Sequence, residues 1–182
     1  MITRKQQQEA IQRAWDILSK SGIAIRHDER AHIDVADFGL GELDQTGLQI
    51  LPLVITDKIS IKLLVLQPWQ VCPQHRHPPQ GDYPGKEETV RGQWGAVYLC
   101  VPGEPPRSPL GHPPEHRRAY YSVWHEVALR PGEQYTVPPN TWHWFQGGPE
   151  GGVVWSMCSR ATDEQDLFTD PQVVRRTVVR GT

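Results

Sequence analysis

Hydrophobic residues follow a helical spacing in one stretch of the chain, residues 4–20. Apolar positions recur there every three or four residues, as on one face of a helix, and Gly22 provides a stop. The residues on this face are Ile11, Ala14, Trp15 and Leu18. The pattern predicts an N-terminal helix that packs on the rest of the chain or on a partner subunit.

From about residue 48 the hydrophobic pattern changes to short β-branched runs that alternate with turn signals. The clearest runs are residues 48–55 and 59–67, on either side of a polar Thr-Asp-Lys turn. Further strand candidates are residues 94–101, 120–129, 134–137, 142–146 and 153–158. Because no helical pattern separates these strands, the sequence predicts an all-β fold, an antiparallel barrel or sandwich.

The chain divides into three predicted regions. A helical arm occupies residues 1–34, a β-barrel residues 35–171 and a tail residues 172–182, and the total of 182 residues suits a single domain. The Pro-rich segment 102–118 predicts an irregular surface loop near one mouth of the barrel. The tail predicts a weak edge strand or a partly disordered end.

Charge and cysteine content narrow the range of functions. The chain carries 19 Lys and Arg against 21 Asp and Glu, so it lacks the basic surface that binding to nucleic acid or to an anionic membrane requires. Its three cysteines are far apart and predict buried thiols. Without an apolar signal core or a long apolar run, we expect a soluble cytoplasmic protein.

Four residues in two distant stretches form a candidate metal site. His75 and His77 are two apart, so on a strand both imidazoles face the same side. Glu88 follows a Pro/Gly-rich loop, and His143 follows a Pro-Pro-Asn turn. Three imidazoles and a carboxylate suit Mn²⁺, Co²⁺, Ni²⁺, Zn²⁺ or Fe²⁺.

The spacing of these ligands resembles the two motifs of the cupin family. The second motif matches Gly132, Pro138, Asn140 and His143. The first matches His75, His77, Glu88 and Gly95, with a longer loop before the glutamate. This resemblance implies a single cupin (jelly-roll) antiparallel β-barrel with the metal inside one mouth.

Within the cupins the chain resembles the bacterial D-lyxose isomerases. The matching segments are residues 35–51, 72–79, 84–104, 131–148 and 162–171. The resemblance implies a metal-dependent aldose–ketose isomerase that interconverts D-lyxose and D-xylulose, and also D-mannose and D-fructose, through an enediolate. It further implies His75, His77, Glu88 and His143 as ligands of Mn²⁺, and Lys86 as a catalytic residue.

One position departs from this family. Where the resemblance implies a glutamate that acts as an acid or base, this chain has Ser156. A serine hydroxyl does not take a carbon-bound proton unaided at neutral pH. Glu87, Asp163 and Glu164 are the carboxylates that could replace the glutamate, and we expect Glu164 as the second catalytic residue.

Side chains near the ligands in sequence are candidates for sugar contacts. We expect substrate binding by Arg91, Trp94, Trp144 and Asp166, since sugar C–H faces stack on aromatic rings and sugar hydroxyls bond to charged groups. A homodimer is expected, with the N-terminal arm contributing. Two alternatives stay open: a sugar-binding cupin with little or no isomerase activity, which Ser156 favours, and an Fe²⁺-dependent cupin oxygenase.

Overall fold

A computed structural model describes residues 1–181; Thr182, the last residue of the predicted tail, lies outside the described residues. Most of the regular structure in this range is β-sheet, preceded by one long helix. The strands and the helix are β1 (Ile2–Thr3), α1 (Arg4–Lys20), β2 (Asp34–Ala36), β3 (Leu48–Ile55), β4 (Ser60–Leu66), β5 (Val71–Arg76), β6 (Glu88–Val101), β7 (His125–Leu129), β8 (Gln134–Val137), β9 (His143–Cys158), β10 (Leu167–Phe168) and β11 (Val179–Arg180). Short 3₁₀ turns occupy His27–His32, Glu115–Tyr120 and Asp163–Gln165.

The main sheet is antiparallel and curls around the two longest strands. Strand β9 pairs with β4, β5 and β6, and β6 also pairs with β7 and β8. The first part of β9 pairs with β5, which continues to β10, and its last part pairs with β4, which continues to β3 and β2. Because β6 pairs with β9 along both parts, the bending of these two long strands curls the sheet around an interior.

Glycines allow the two long strands to bend where they cross. The pairing of β6 with β9 shifts register between Gly92 and Trp94 and again between Gly95 and Val97. Gly95 has a φ of 63°, and a Cβ atom there would lie 2.3 Å from the carbonyl oxygen of Gly151. A side chain at this position would therefore clash with the neighbouring strand.

Both faces of the sheet are buried at β4. Alternate residues of β4 face opposite ways: Leu64 and Leu66 join the cluster inside the barrel, whereas Leu63 and Val65 pack against α1. The helix begins with a capping box, in which the Thr3 hydroxyl accepts a hydrogen bond from the Gln6 backbone N–H. The predicted helix at residues 4–20 is therefore present, and it covers the outer face of the sheet.

The chain's two ends meet on the barrel. Strand β1 pairs in parallel with β11, and the backbone N–H of Val174 donates to the carbonyl of Phe38 at 2.8 Å. The Thr177 hydroxyl accepts a hydrogen bond from the Asp37 backbone N–H at 3.0 Å. Residues after β10 are in this way fixed along the side of the barrel.

Several strands differ in extent from the sequence predictions. The predicted strands 142–146 and 153–158 are the two ends of one strand, β9, because the glycines between them permit a continuous bent ladder. The predicted strand at 120–129 begins only at His125. In the part of the chain that the structure describes, no helix has the length and apolar character needed to cross a membrane.

A buried tryptophan provides a test of the packing on the outer side of β9. Trp144 has no exposed surface, and its indole N–H donates to the Val123 carbonyl at 2.7 Å. We expect Trp144→Phe to lower the free energy of unfolding by about 2–4 kcal/mol, because it leaves a cavity and an unpaired carbonyl. Thermal unfolding measures the change. The control is Trp69→Phe, at a side chain that is 39% exposed, and an equal loss of stability in both variants would contradict the packing described here.

Candidate metal centre

Strand pairing brings two of the three predicted histidine ligands side by side. His75 on β5 is the cross-strand partner of His143 on β9, and on its other side it pairs with Phe168 on β10. The ring centroids of His75 and His143 are 4.2 Å apart. Because directly paired residues in a sheet point to the same face, both imidazoles enter the barrel interior.

Backbone carbonyls fix which ring nitrogen each of these histidines presents. The Nδ1 of His75 lies 2.8 Å from the Pro73 carbonyl oxygen, and the Nδ1 of His143 lies 2.9 Å from that of Thr141. A carbonyl oxygen only accepts hydrogen bonds, so Nδ1 carries the proton in both rings. Each Nε2 is therefore left with a free lone pair, the form in which imidazole binds a metal.

His77 and Glu88 complete the group that the sequence singles out. The Nδ1 of His77 lies 2.6 Å from a carboxylate oxygen of Asp166, and its Nε2 lies 3.0 Å from Oε2 of Glu88. The other oxygen of Glu88 accepts a hydrogen bond from the Ser156 hydroxyl. The carboxylate of Asp166 thus orients the imidazole of His77, as carboxylates commonly do behind metal-bound histidines.

The donor atoms of this group fit a divalent ion. One ring nitrogen from each of His75, His77 and His143 lies within 4.8 Å of the others, and all three residues are buried. Among the described residues, Nε2 of His143 is a buried polar atom without a hydrogen-bond partner. A buried nitrogen left unpaired is costly unless something binds it. A metal ion would satisfy it, and the nitrogen and oxygen donors suit Mn²⁺ and its first-row neighbours.

Two of the three imidazoles are in the neutral state that metal binding requires. Burial lowers the pKa of His143 to about 3 and holds the pKa of His75 well below its usual value, so both rings stay neutral. Burial also lowers the pKa of His77, but its hydrogen bonds to Asp166 and Glu88 outweigh burial and raise that pKa, so this ring carries a proton that a metal would displace. Burial alone would raise the pKa of Glu88, but Lys86 and His77 outweigh it and hold that pKa well below its usual range. Glu88 is therefore an ionised carboxylate.

A small cavity of about 40 Å³ lies beside this centre. The apolar residues of its lining, called the apolar wall below, are Phe38, Leu48, Ile50, Leu64, Phe145 and Phe168. The charged residues of its lining, called the charged wall below, are Lys62, Lys86, Glu88, Asp163, Asp166 and Arg175. A ligand that combines a C–H face with several hydroxyl groups would find a matching surface in each set.

Lys86 lies deep in the charged wall. Its side chain is only 4% exposed, and its Nζ lies 2.8 Å from Oδ1 of Asp163 and 3.6 Å from Oε2 of Glu88. Burial lowers the pKa of Lys86, but the nearby Glu88, Asp163 and Asp166 outweigh it and hold that pKa well above its usual value. Lys86 is accordingly a protonated donor in this structure.

The remaining predicted site residues are divided between the cavity and other surfaces. Asp166 lines the cavity. Arg91 is exposed and donates to Gln134, Trp94 packs in the cluster beneath α1, and Trp144 is buried on the outer side of β9. The structure does not bring these three to the cavity. Glu164 is exposed and lines a separate surface pocket that shares Asp163 and Arg175 with the cavity.

Sequence reasoning missed two cations of the cavity wall. Lys62 stands within the apolar run of β4, and a single lysine among aliphatic residues of a strand was a signal that could have marked it. Arg175 reaches the cavity from the segment after β10. No pattern in the predicted tail indicates such a role.

Proteins with similar sequences cover nearly the whole chain. The D-lyxose ketol-isomerase of a Thermofilum species is 51% identical over 175 residues, which are 96% of this chain and 97% of that protein. The D-lyxose/D-mannose isomerase of Thermosediminibacter oceani is 50% identical over the same shares of the two chains. The D-lyxose ketol-isomerase of Cohnella laeviribosi is 50% identical over 171 residues, 94% of each chain. No protein-family model matches the chain.

Solved structures resemble the fold at much lower identity. The L-ribose isomerase of Acinetobacter sp. DL28 in complex with L-ribose aligns with a TM-score of 0.79 and 15% identity over 98% of both chains. The ligand-free L-ribose isomerase of Cellulomonas parahominis aligns with a TM-score of 0.78 and 16% identity, again over 98% of both chains. These similarities confirm the predicted all-β cupin barrel with its N-terminal helix. Since three relatives share half of their residues with this chain over almost its full length, the chain belongs to the D-lyxose ketol-isomerase family.

Proposed function

We propose that this chain is a metal-dependent aldose–ketose isomerase that interconverts D-lyxose and D-xylulose, with D-mannose and D-fructose as a second pair. The names of its relatives support the sugars and the reaction. The observation that carries the metal dependence is the convergence of three buried imidazoles, one with an unpaired Nε2, beside a cavity that His75 and Glu88 line.

We propose Mn²⁺ as the ion and His75, His77, Glu88 and His143 as its ligands. His75, His143 and the ionised Glu88 can bind a cation without first losing protons, whereas His77 would release the proton that its Nε2 shares with Glu88. When bound, a divalent ion supplies Lewis-acid polarisation of the oxygens on the two reacting carbons and lowers the cost of the enediolate.

The two unlike walls of the cavity orient the sugar. The rings of Phe145 and Phe168 offer flat apolar surfaces to the C–H face, and the charged wall offers donors and acceptors to the hydroxyls. Arg175 adds a cationic hydrogen-bond donor to the charged wall. Holding the reacting carbons in one position beside the catalytic groups supplies part of the rate acceleration.

Lys86 is the proposed proton donor. Its buried ammonium group lies on the cavity wall, fixed by Asp163 and adjacent to Glu88. In this position it donates to a sugar oxygen on which negative charge develops as the carbon-bound proton leaves. The homodimer and the cytoplasmic location stay predictions.

Isomerase activity and its dependence on metal can be tested together. We expect purified protein supplied with Mn²⁺ to convert D-lyxose to D-xylulose, to stop when EDTA removes the ion and to resume when Mn²⁺ is restored. Ketose formation followed by NMR measures this. Tight sugar binding without turnover would instead indicate a sugar-binding cupin, and oxygen consumption with Fe²⁺ would indicate an oxygenase.

Removing one ligand tests the metal centre itself. We expect His143→Ala to weaken metal binding by at least about 100-fold, because it removes a donor from the centre of the group. Metal analysis after dialysis, with competition by a chelating dye, measures the affinity. The control is His125→Ala, at an exposed histidine on β7. Unchanged metal content in the His143 variant would remove this residue from the ligand set.

Lys86 can be tested separately from metal binding. We expect Lys86→Met to retain the ion and lose turnover by about 10²–10⁴-fold, the usual contribution of a general acid or base. Steady-state kinetics with metal analysis separates the two effects. The control is Lys58→Met, at an exposed turn lysine between β3 and β4. Turnover equal to that of the wild type would exclude Lys86 from the mechanism.

A further inference from the structure

Asp163 lies between two buried lysines on the cavity wall. Its Oδ1 accepts a hydrogen bond from Lys86 at 2.8 Å, and its Oδ2 accepts one from Lys62. The lysine side chains are 4% and 7% exposed, whereas Asp163 is 22% exposed. Two buried ammonium groups therefore fix both oxygens of a carboxylate that still reaches the cavity.

The lysine on β4 stands beside the place where the family resemblance implies a glutamate. Lys62 is the cross-strand partner of Ser156 on β9. The Ser156 hydroxyl is committed to Glu88 and supplies no base. Instead, Lys62 binds a carboxylate that comes from the 3₁₀ turn Asp163–Gln165, so the charged wall regains an acidic group next to position 156.

The other carboxylates near the cavity either contact other residues of the site or lie exposed outside the cavity. Glu88 belongs to the metal ligands, and Asp166 holds His77 at 2.6 Å. Glu87 and Glu164 are exposed, and neither lines the cavity. Of the three replacements that the sequence left open, Asp163 alone both lines the cavity and contacts Lys86.

We propose that Asp163 is the carboxylate that moves the carbon-bound proton, and that Lys62 is a positioning residue that holds it in place. This inference rests on the proposed isomerase function and names the base that acts with Lys86. It assigns no separate role to Glu164.

The proton transfers balance over one turnover. Asp163 takes the proton from C2 of the aldose, the C–H electron pair becomes the C1–C2 double bond, and the carbonyl electrons move to O1, which takes a proton from Lys86. The resulting enediol then loses its O2 proton to the Lys86 amine, and Asp163 returns its proton to C1. Both side chains end in their starting states, and the aldose has become the ketose.

The hydrogen bond between Lys86 and Asp163 links their proton transfers. When Lys86 gives a proton to O1, one of the two positive charges beside Asp163 disappears. Burial alone would raise the pKa of Asp163, but the two lysines outweigh burial and hold that pKa well below its usual value. The loss of one of these charges raises the proton affinity of the carboxylate when it must accept the proton from carbon. The charge of Lys62 remains and keeps the carboxylate in the cavity.

The test compares carboxylate variants of the full-length protein supplied with Mn²⁺. We expect Asp163→Asn to lower kcat at least about 100-fold on D-lyxose, with KM changed less than threefold and metal content unchanged. Asp163→Glu, which keeps the charge but moves it, should retain more activity than Asp163→Asn. Asp57→Asn, at an exposed turn, should match the wild type. Tm values show whether each variant folds, and Asp163→Glu carries the test if the asparagine variant does not.

Two substitutions test whether the positive charge of Lys62 positions Asp163. We expect Lys62→Met to lower kcat about tenfold or more with little change in KM, and Lys62→Arg, which keeps the charge, to restore most of the loss. A merely structural role would lower Tm in the methionine variant without this selective loss of kcat.

The outcomes separate the two proposals. A wild type that turns over neither D-lyxose nor D-mannose would overturn the proposed function and this inference with it. An active wild type with an equally active Asp163→Asn variant would overturn the inference alone. A loss of kcat in Glu164→Gln as large as that in Asp163→Asn would likewise overturn only the inference.

Discussion

Two hydrogen bonds from histidine Nδ1–H groups to backbone carbonyls set the chemistry of this barrel. They place the ring proton of His75 and of His143 on Nδ1. The Nε2 lone pairs are left facing the interior of the barrel. Burial then keeps both rings neutral, since a charged imidazole would have to lose its hydration. The inward orientation of these two nitrogens thus follows from the sheet register and from the two hydrogen bonds.

The charge balance of the cavity wall bears on the role of the proposed metal. Three cations line it, Lys62, Lys86 and Arg175, and three carboxylates oppose them, Glu88, Asp163 and Asp166. Because these charges balance, the protein folds without burying an unpaired charge in this wall. For the same reason the wall gives an anionic enediolate little net stabilisation, so the excess positive charge has to come from a bound cation.

The sequence predicted the parts of the site that depend on local spacing. His75, His77, Glu88 and His143 followed from motifs, and β3 and β8 from apolar runs bounded by turns. Adjacent residues on a strand face opposite ways, so the buried position of His143 already argued against Trp144 as a sugar contact.

The remaining parts depend on contacts that no local pattern encodes. Trp94 is six residues from Glu88 and would share its face on a regular strand, but the register shift after Gly92 turns it towards α1. Lys62 and Asp163 are 101 residues apart and meet only because the chain after β9 folds back over the cavity. The same segment carries Asp166, which orients His77, three residues beyond Asp163. One short stretch of chain therefore carries both the carboxylate that orients His77, a proposed metal ligand, and Asp163, the proposed base. Under the proposed mechanism, a displacement of this stretch would disturb metal binding and proton transfer together.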